Sequence, residues 1–89
     1  MILAISGSLK RSSVNSAALR AAASAAARSG IAITIDDAVR ELPLFEPDLA
    51  AAPPEPVSLR AACEAAEGVL LSVPEYVFGI PGAFKNALD

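Results

Sequence analysis

The sequence predicts an α/β fold with a doubly wound parallel sheet, and two observations carry that prediction. Short apolar segments alternate with segments of helical composition along all 89 residues. Their order is strand, helix, strand, helix, strand and the start of a helix, which is typical of parallel sheets with right-handed crossovers. Because sheets of this kind have five strands or more, the chain is expected to supply three of the five.

The first strand is predicted over residues 2–5, where the chain is continuously apolar and resembles a strand that is buried on both faces. The first helix is predicted over residues 14–29, since its many alanines favour a helix. Ser13 is a natural N-cap for this helix and Gly30 is a natural stop. Between strand and helix lies a loop over residues 8–13.

The second strand is predicted over residues 31–35, where Ile alternates with Ala and Thr. Asp36 and Asp37 are expected to end it. Residues 40–56 are predicted to be a loop without any regular element, because prolines are dense there. These prolines are Pro43, Pro47, Pro53, Pro54 and Pro56.

The second helix is predicted over residues 57–67, with Gly68 as its end. Residues 69–73 are predicted to form a third buried strand, and residues 74–79 a loop. The third helix is expected to open at residues 80–82. With only three strands present, the third strand would have an unpaired, apolar edge. Such an edge favours pairing with another chain or aggregation.

Composition excludes several classes of function. The net charge of −3 without a long basic run argues against nucleic-acid binding. The absence of histidine excludes Ser-His-Asp and Cys-His catalysis and the usual zinc sites. Cys63 is the only cysteine, which excludes an internal disulfide and fits a reducing compartment. No signal peptide or membrane-spanning stretch is evident, so a cytoplasmic location is predicted.

The loop after the first strand has the chemistry of an anion site. Ser8, Ser12 and Ser13 supply hydroxyls, Lys10 supplies charge together with Arg11, and a helix N-terminus follows. A terminal phosphate suits such a loop. The alternative stays open at this point: the serines cap the helix and the two cations belong to a solvated loop. The loop matches neither a P-loop nor a dinucleotide fingerprint.

The loop after the third strand is expected to meet the first loop, because ligands in open α/β sheets bind beyond the carboxyl ends of the strands at the switch point. It offers Tyr76, Phe78 and backbone donors. Flavin mononucleotide (FMN), with a phosphate at one end and a flat ring at the other, fits this pair of loops. Both aromatic residues are alternatively explained as core or interface residues.

Three segments together resemble the NAD(P)H-dependent FMN reductase family, a flavodoxin-like group that includes quinone, chromate and azo-dye reductases. They are Gly7-Ser8-Leu9-Lys10-x-x-Ser13-x-Asn15, Leu42-Pro43-Leu44-Phe45-x-Pro47-Asp48, and Pro74-Glu75-Tyr76 with Ile80-Pro81-Gly82 and Lys85-Asn86-Ala87-Leu88-Asp89. The resemblance spans the chain, and its last segment is the most specific. It implies a flavodoxin-like domain of which residues 1–89 are the N-terminal portion, with two further strands expected after Asp89.

The resemblance implies a set of cofactor-binding residues and no catalytic side chain. Positions that hold the FMN phosphate match Ser8, Lys10, Ser13 and Asn15, and positions along the isoalloxazine ring match Pro74, Glu75, Tyr76, Val77 and Gly79. Two residues depart from the family pattern. Lys10 stands where the family usually has Arg, which replaces a bidentate fork with a point charge. Val77 stands where the family often has Asn, which removes a polar contact near the ring.

The function implied by the resemblance is hydride transfer from NAD(P)H through bound FMN to a quinone, free FMN or a similar small-molecule acceptor, in a homodimer or tetramer. Neither a nucleic acid, a membrane nor a metal is implied as a partner. Two alternatives remain: a non-catalytic flavodoxin-like module that binds flavin or carries electrons, and a truncated fragment without activity. The absence of the Thr-rich phosphate loop of flavodoxins favours the reductase.

Overall fold

A computed structural model describes all 89 residues. The chain forms, in order, β1 (Ile2–Ser6), α1 (Val14–Ala27), β2 (Ile33–Asp36), a short 3₁₀ helix (Ala38–Glu41), α2 (Pro54–Ala65), β3 (Gly68–Ser72) and α3 (Gly82–Leu88). The three strands are parallel and lie in the order β2-β1-β3. The predicted α/β class is therefore confirmed, with β1 as the central strand.

Side chains of β1 point alternately to two helical layers. Leu3 and Ile5 are buried against Val39 and Leu59, which belong to the 3₁₀ helix and α2. Ala4 points to the other face, which α1 covers. Covering both faces of a parallel sheet is what makes a continuous apolar run such as β1 favourable.

The predicted boundaries of α1 hold at its start and fail by two residues at its end. Ser13 is the N-cap, as predicted. At the other end, the N–H of Ile31 donates to the carbonyl of Ala26 over 3.0 Å, and Gly30 has a φ of +75°. Gly30 thus takes the left-handed conformation that ends the helix, as predicted, but the hydrogen bonds of the helix end also include Ile31. For that reason β2 begins at Ile33 and not at residue 31.

The prediction of a loop without regular structure over residues 40–56 is wrong at both ends. At the first end, the carboxylate of Asp36 accepts the N–H of Ala38 over 2.6 Å and starts the 3₁₀ helix. At the other end, Pro54 opens α2. Proline is favourable in a first helical turn, where N–H groups have no partner inside the helix. The density of prolines therefore marks a helix start as well as a loop.

The predicted end of α2 at Gly68 is also wrong. The helix ends at Ala65, because Ala66 takes an extended conformation, and Gly68 is the first residue of β3. The predicted buried character of the third strand is wrong as well, since the middle of β3 is largely exposed. Val69 and Leu71 remain 46% exposed because β3 is an edge strand. The third helix opens where expected, with Pro81 as its N-cap.

Candidate functional site

Two loops leave the carboxyl ends of neighbouring strands and form one face of the molecule. Ser6, the last residue of β1, is paired with Ser72, the last residue of β3. The N–H of Gly7 extends this pairing by donating to the carbonyl of Ser72 over 2.9 Å. The loop over residues 8–13 and the loop over residues 74–79 therefore start side by side at the point where the chain switches from one side of β1 to the other.

Gly7 is required by close packing at this point. A Cβ atom built on Gly7 would lie 2.9 Å from Cγ1 of Val73, which is closer than side chains approach one another. Val73 is β-branched and has little freedom to move away. A glycine at the end of β1 thus lets the two loops start close together.

The first loop is held in shape by its own serines. The hydroxyl oxygen of Ser13, a buried residue, accepts the N–H groups of Asn15 and Ser16 over 3.0 and 3.3 Å. The hydroxyl oxygen of Ser8, also buried, accepts the N–H of Lys10 over 3.3 Å. The explanation that these serines cap the helix is thus confirmed for Ser13, which is the N-cap of α1. Each hydroxyl proton remains free to donate.

Several further donors of this loop have no acceptor within the chain. The backbone N–H groups of Arg11, Ser12 and Val14 donate no hydrogen bond. The side-chain NH₂ of Asn15 and the ammonium of Lys10 donate none either. These groups surround the N-terminus of α1, where the helix dipole adds partial positive charge. The donor set fits a phosphate group.

Asn15 is oriented by a residue that the sequence did not point to. The hydroxyl of Ser72 donates to the side-chain oxygen of Asn15 over 2.8 Å. Since the oxygen is occupied by this bond, the NH₂ group is the part of the amide left for a ligand. Ser72 lies at the end of a strand in the sequence, and only the parallel pairing of β1 with β3 brings it to α1.

The second loop is a tight hairpin. The N–H of Tyr76 donates to the carbonyl of Gly79 over 2.8 Å, and the N–H of Gly79 donates back to Tyr76 over 3.1 Å. The carboxylate of Glu75 accepts the N–H of Phe78. These three N–H groups are consumed inside the hairpin, which leaves those of Glu75 and Val77 for a ligand. Glu75 thus has a structural role in the turn.

Val77 and Phe78 form the tip of this hairpin in an unfavourable backbone conformation. Their φ angles are +52° and +65°, the left-handed region that two-residue hairpin turns require. Asn and Gly suit those positions, whereas a β-branched or bulky residue is strained there. Both side chains project into solvent, 92% and 98% exposed. The interpretation of Phe78 as a core residue is therefore wrong.

Tyr76 is also not a core residue, since about half of its surface is exposed. Pro74 is half-buried between β3 and the hairpin, where it cannot donate a hydrogen bond. The predicted ring-side residues thus all belong to one loop, in which hydrogen bonds join Tyr76 to Gly79 and Glu75 to Phe78. These residues are Pro74, Glu75, Tyr76, Val77 and Gly79. Together with the first loop they lie on the face described above.

Asn86 connects α3 to residues 42–48, which are the middle one of the three segments singled out in the sequence. Its NH₂ donates to the carbonyl of Pro43 over 2.9 Å, and its oxygen accepts the N–H of Phe45 over 2.8 Å. The pair of bonds mimics a strand pairing and holds the extended segment after the 3₁₀ helix. Leu44 and Phe45 are nevertheless mostly exposed.

Two cavities lie on the surface. The larger, about 620 Å³, is mainly apolar and lies between α2, α3 and residues 42–53, away from both loops. The smaller, about 240 Å³, adjoins the first loop. It is lined by Ser6, Lys10, Arg11, Ser16, Arg20, Ile35, Asp36, Asp37 and Arg40. By size alone, the larger and apolar cavity would be the candidate ligand site, but the unpaired hydrogen-bond donors are in the loops. No helix is both long and apolar enough to cross a membrane.

A family model described as NADPH-dependent FMN reductase matches residues 1–89. The chain belongs to this family. The resemblance that its motifs predicted is therefore confirmed, and residues of both loops lie within the match. The match does not by itself assign a ligand contact to any residue, so the cofactor-binding residues remain predictions.

Relatives in the reductase family have similar sequences and, in one case, a solved structure. A probable NADPH:quinone oxidoreductase of Oryza sativa subsp. japonica is 39% identical over 92 residues, which cover 99% of this chain and 45% of the relative. An NAD(P)H-dependent FMN reductase of Pseudomonas aeruginosa is 38% identical, with 99% and 48% covered. The solved structure of FerB, a flavoenzyme NAD(P)H:(acceptor) oxidoreductase from Paracoccus denitrificans, is similar with a TM-score of 0.81 and 30% identity, covering 99% of this chain and 48% of FerB. The chain spans about half the length of these relatives.

Proposed function

We propose that this chain forms the FMN-phosphate half of the cofactor site of an NAD(P)H-dependent reductase. The single observation that carries the proposal is the set of unpaired donors around the N-terminus of α1. Family membership and the names of the relatives support it. When bound, FMN supplies the chemistry of the reaction, which is hydride transfer between a nicotinamide and an acceptor.

The residues of the chain bind and orient the cofactor and take no covalent part. Ser8 and Ser13 offer hydroxyl protons to the phosphate, Asn15 offers its NH₂ group, and Lys10 balances the charge. Several such bonds on one dianion fix one end of the cofactor. The proposed role of each side chain is therefore positional, and the carboxylate of Glu75, the one acid within the two loops, is engaged in holding the hairpin.

The hairpin over residues 74–79 is proposed to lie along the isoalloxazine ring. The N–H groups of Glu75 and Val77 are its free donors, and Tyr76 and Gly79 fix its width. Glu75 holds the turn through the N–H of Phe78. A rigid edge of this kind is suited to exclude water from one side of the ring and to hold the ring at a constant distance from a donor nicotinamide.

The proposed acceptor is a quinone, free FMN or a similar small molecule, and the proposed assembly is a homodimer or tetramer in the cytoplasm. Exposed apolar residues at the hairpin tip and along β3 support an assembly of this kind. The alternative function is a flavin-binding module that carries electrons without reacting with a nicotinamide.

Anaerobic mixing of the FMN-loaded protein with NADPH or NADH distinguishes these functions. A reductase bleaches the visible absorbance of the flavin within the time of a turnover, and added benzoquinone restores it. An electron-carrier module binds FMN but leaves its absorbance unchanged by either nicotinamide. That second result, obtained with FMN bound, would contradict the reductase activity.

A further inference from the structure

Positive charge is concentrated in the smaller cavity. Four of the seven Lys and Arg residues of the chain line it, namely Lys10, Arg11, Arg20 and Arg40. They come from the first loop, from α1 and from the 3₁₀ helix. Since the chain as a whole carries a net charge of −3, a generally basic composition does not explain this cluster.

Three of the four cations have no partner. The ion pairs of the molecule involve the N-terminus, Arg40 and Lys85. Lys10, Arg11 and Arg20 are therefore not neutralised by any carboxylate within the chain. Unpaired like charges that share a cavity repel one another, and an anion placed between them would relieve this repulsion.

Arg40 is fixed in the wall of the cavity. Its Nε donates to Asp37 over 3.2 Å, and its Nη2 donates to the carbonyl of Leu9 over 2.8 Å. The second bond ties the 3₁₀ helix to the first loop. Asp36, the other carboxylate of the cavity, accepts the N–H of Ala38. Each carboxylate thus has one oxygen engaged, and the cations outnumber the carboxylates two to one.

We propose that this cavity is a second phosphate subsite and that it binds the 2′-phosphate of NADPH. A phosphate monoester dianion matches the guanidinium groups of Arg11 and Arg20 and the hydroxyl of Ser16. The free carboxylate oxygens of Asp36 and Asp37 lie on the same cavity wall and suit the 3′-hydroxyl, which is the one free hydroxyl of the attached ribose. The proposal rests on the proposed function. It gives the protein a preference for NADPH over NADH.

The position of the cavity agrees with this assignment. Lys10 belongs both to the first loop and to the cavity wall, so the two phosphate sites adjoin. The cavity lies on the β2 side of α1, whereas the hairpin follows β3 on the opposite side of β1. In the proposed arrangement the dinucleotide extends from the hairpin past the first loop, and its adenosine end lies in the cavity.

Calorimetric titration of the full chain with 2′,5′-ADP and with 5′-AMP tests the subsite without a turnover assay. The variant is Arg20→Gln, because Arg20 lies in the cavity but is no part of the proposed FMN site. The matched control is Arg28→Gln, an exposed residue at the end of the same helix and outside the cavity. Arg20→Gln is expected to weaken 2′,5′-ADP binding about tenfold, the loss typical of one charged hydrogen bond.

In the expected result, 5′-AMP binding changes little in Arg20→Gln, the control retains the affinity of the parent for both probes, and FMN affinity is unaffected. Arg20→Glu is the second variant and is expected to abolish binding of 2′,5′-ADP. Circular dichroism confirms that each variant is folded.

Three results would overturn the subsite. The first is an unchanged affinity for 2′,5′-ADP in both Arg20 variants. The second is an equal loss in Arg28→Gln, which would show general attraction by surface charge. The third is a loss of FMN affinity in Arg20→Gln with 2′,5′-ADP unaffected, which would assign these cations to the FMN phosphate. Failure of the parent to bind FMN would contradict the proposed function but not the subsite, because the titrations with 2′,5′-ADP are interpreted separately.

Discussion

The hydroxyl of Ser72 donates a 2.8 Å hydrogen bond to the side-chain oxygen of Asn15 and so connects the end of β3 to the first turn of α1. The two residues are 57 positions apart in the sequence. The bond leaves the NH₂ of Asn15 as the group available to a phosphate. It also joins the strand that precedes the second loop to the helix that follows the first loop.

Removal of the Ser72 hydroxyl is expected to weaken FMN binding. In Ser72→Ala the amide of Asn15 loses its orientation, and one neutral hydrogen bond, about 1 kcal/mol, corresponds to about a fivefold loss of affinity. Fluorescence quenching of FMN measures the change, and Ser24→Ala on the exposed face of α1 is the control. Equal affinities in Ser72→Ala and the control would show that Asn15 needs no support from Ser72.

The hairpin tip is expected to gain stability when its first residue suits a left-handed backbone. Val77→Asn relieves strain at a φ of +52° and removes an exposed apolar side chain, so the free energy of unfolding should rise by about 1 kcal/mol. Val14→Asn, also an exposed valine but in a helix, should give no gain. Urea denaturation measures both. A gain of the same size at position 14 would exclude backbone strain as the cause.

Gly7→Ala is expected to destabilise the junction of the two loops. The new Cβ would lie 2.9 Å from the stiff side chain of Val73, and crowding of this kind costs about 1–3 kcal/mol. The double variant Gly7→Ala/Val73→Ala should recover part of that loss. Gly82→Ala, which meets open space in α3, should be neutral or stabilising. Thermal unfolding of the four proteins tests the contact, and an unchanged melting temperature in Gly7→Ala argues against it.

Asn86 is expected to slow amide hydrogen exchange at Phe45, in the extended segment after the 3₁₀ helix. In Asn86→Ala the N–H of Phe45 loses its acceptor and should exchange about fivefold faster, as expected for the loss of one hydrogen bond. Asn86→Asp keeps an acceptor for Phe45 but loses the bond to the carbonyl of Pro43, and should lie between the two. Equal exchange at Phe45 in all three proteins would mean that the segment is held by other contacts.

Local signals in the sequence were sufficient to predict the order of the helices and strands. They also predicted those helix ends that depend on a residue's effect on its neighbours in the chain. Ser13 begins α1 and Gly30 stops it, because capping and a left-handed turn depend on residues a few positions away. The same holds for Pro81 at the start of α3. These features were predicted because their causes lie within the segments themselves.

Features that depend on contacts between distant segments could not be predicted. The bond between Ser72 and Asn15 requires the register of β1 with β3, which neither strand specifies alone. The exposure of Val69 in β3 follows from its position at the edge of the sheet, whereas its sequence suits a buried strand equally well. The clustering of Arg20 with Arg40 likewise depends on the packing of the 3₁₀ helix beside the first loop.

A titration of the chain with FMN and with riboflavin tests whether the first loop binds a phosphate. The two flavins share the ring and differ in the phosphate, so any preference for FMN measures how strongly the protein binds the phosphate. Lys10→Ala/Asn15→Ala is the variant, and each charged hydrogen bond to the phosphate should contribute about 1.5–3 kcal/mol. We expect FMN to bind tightly, riboflavin to bind weakly, and the difference to shrink by at least about a hundredfold in the variant. Equal binding of both flavins by the parent, or an undiminished preference in the variant, would contradict the assignment of the loop.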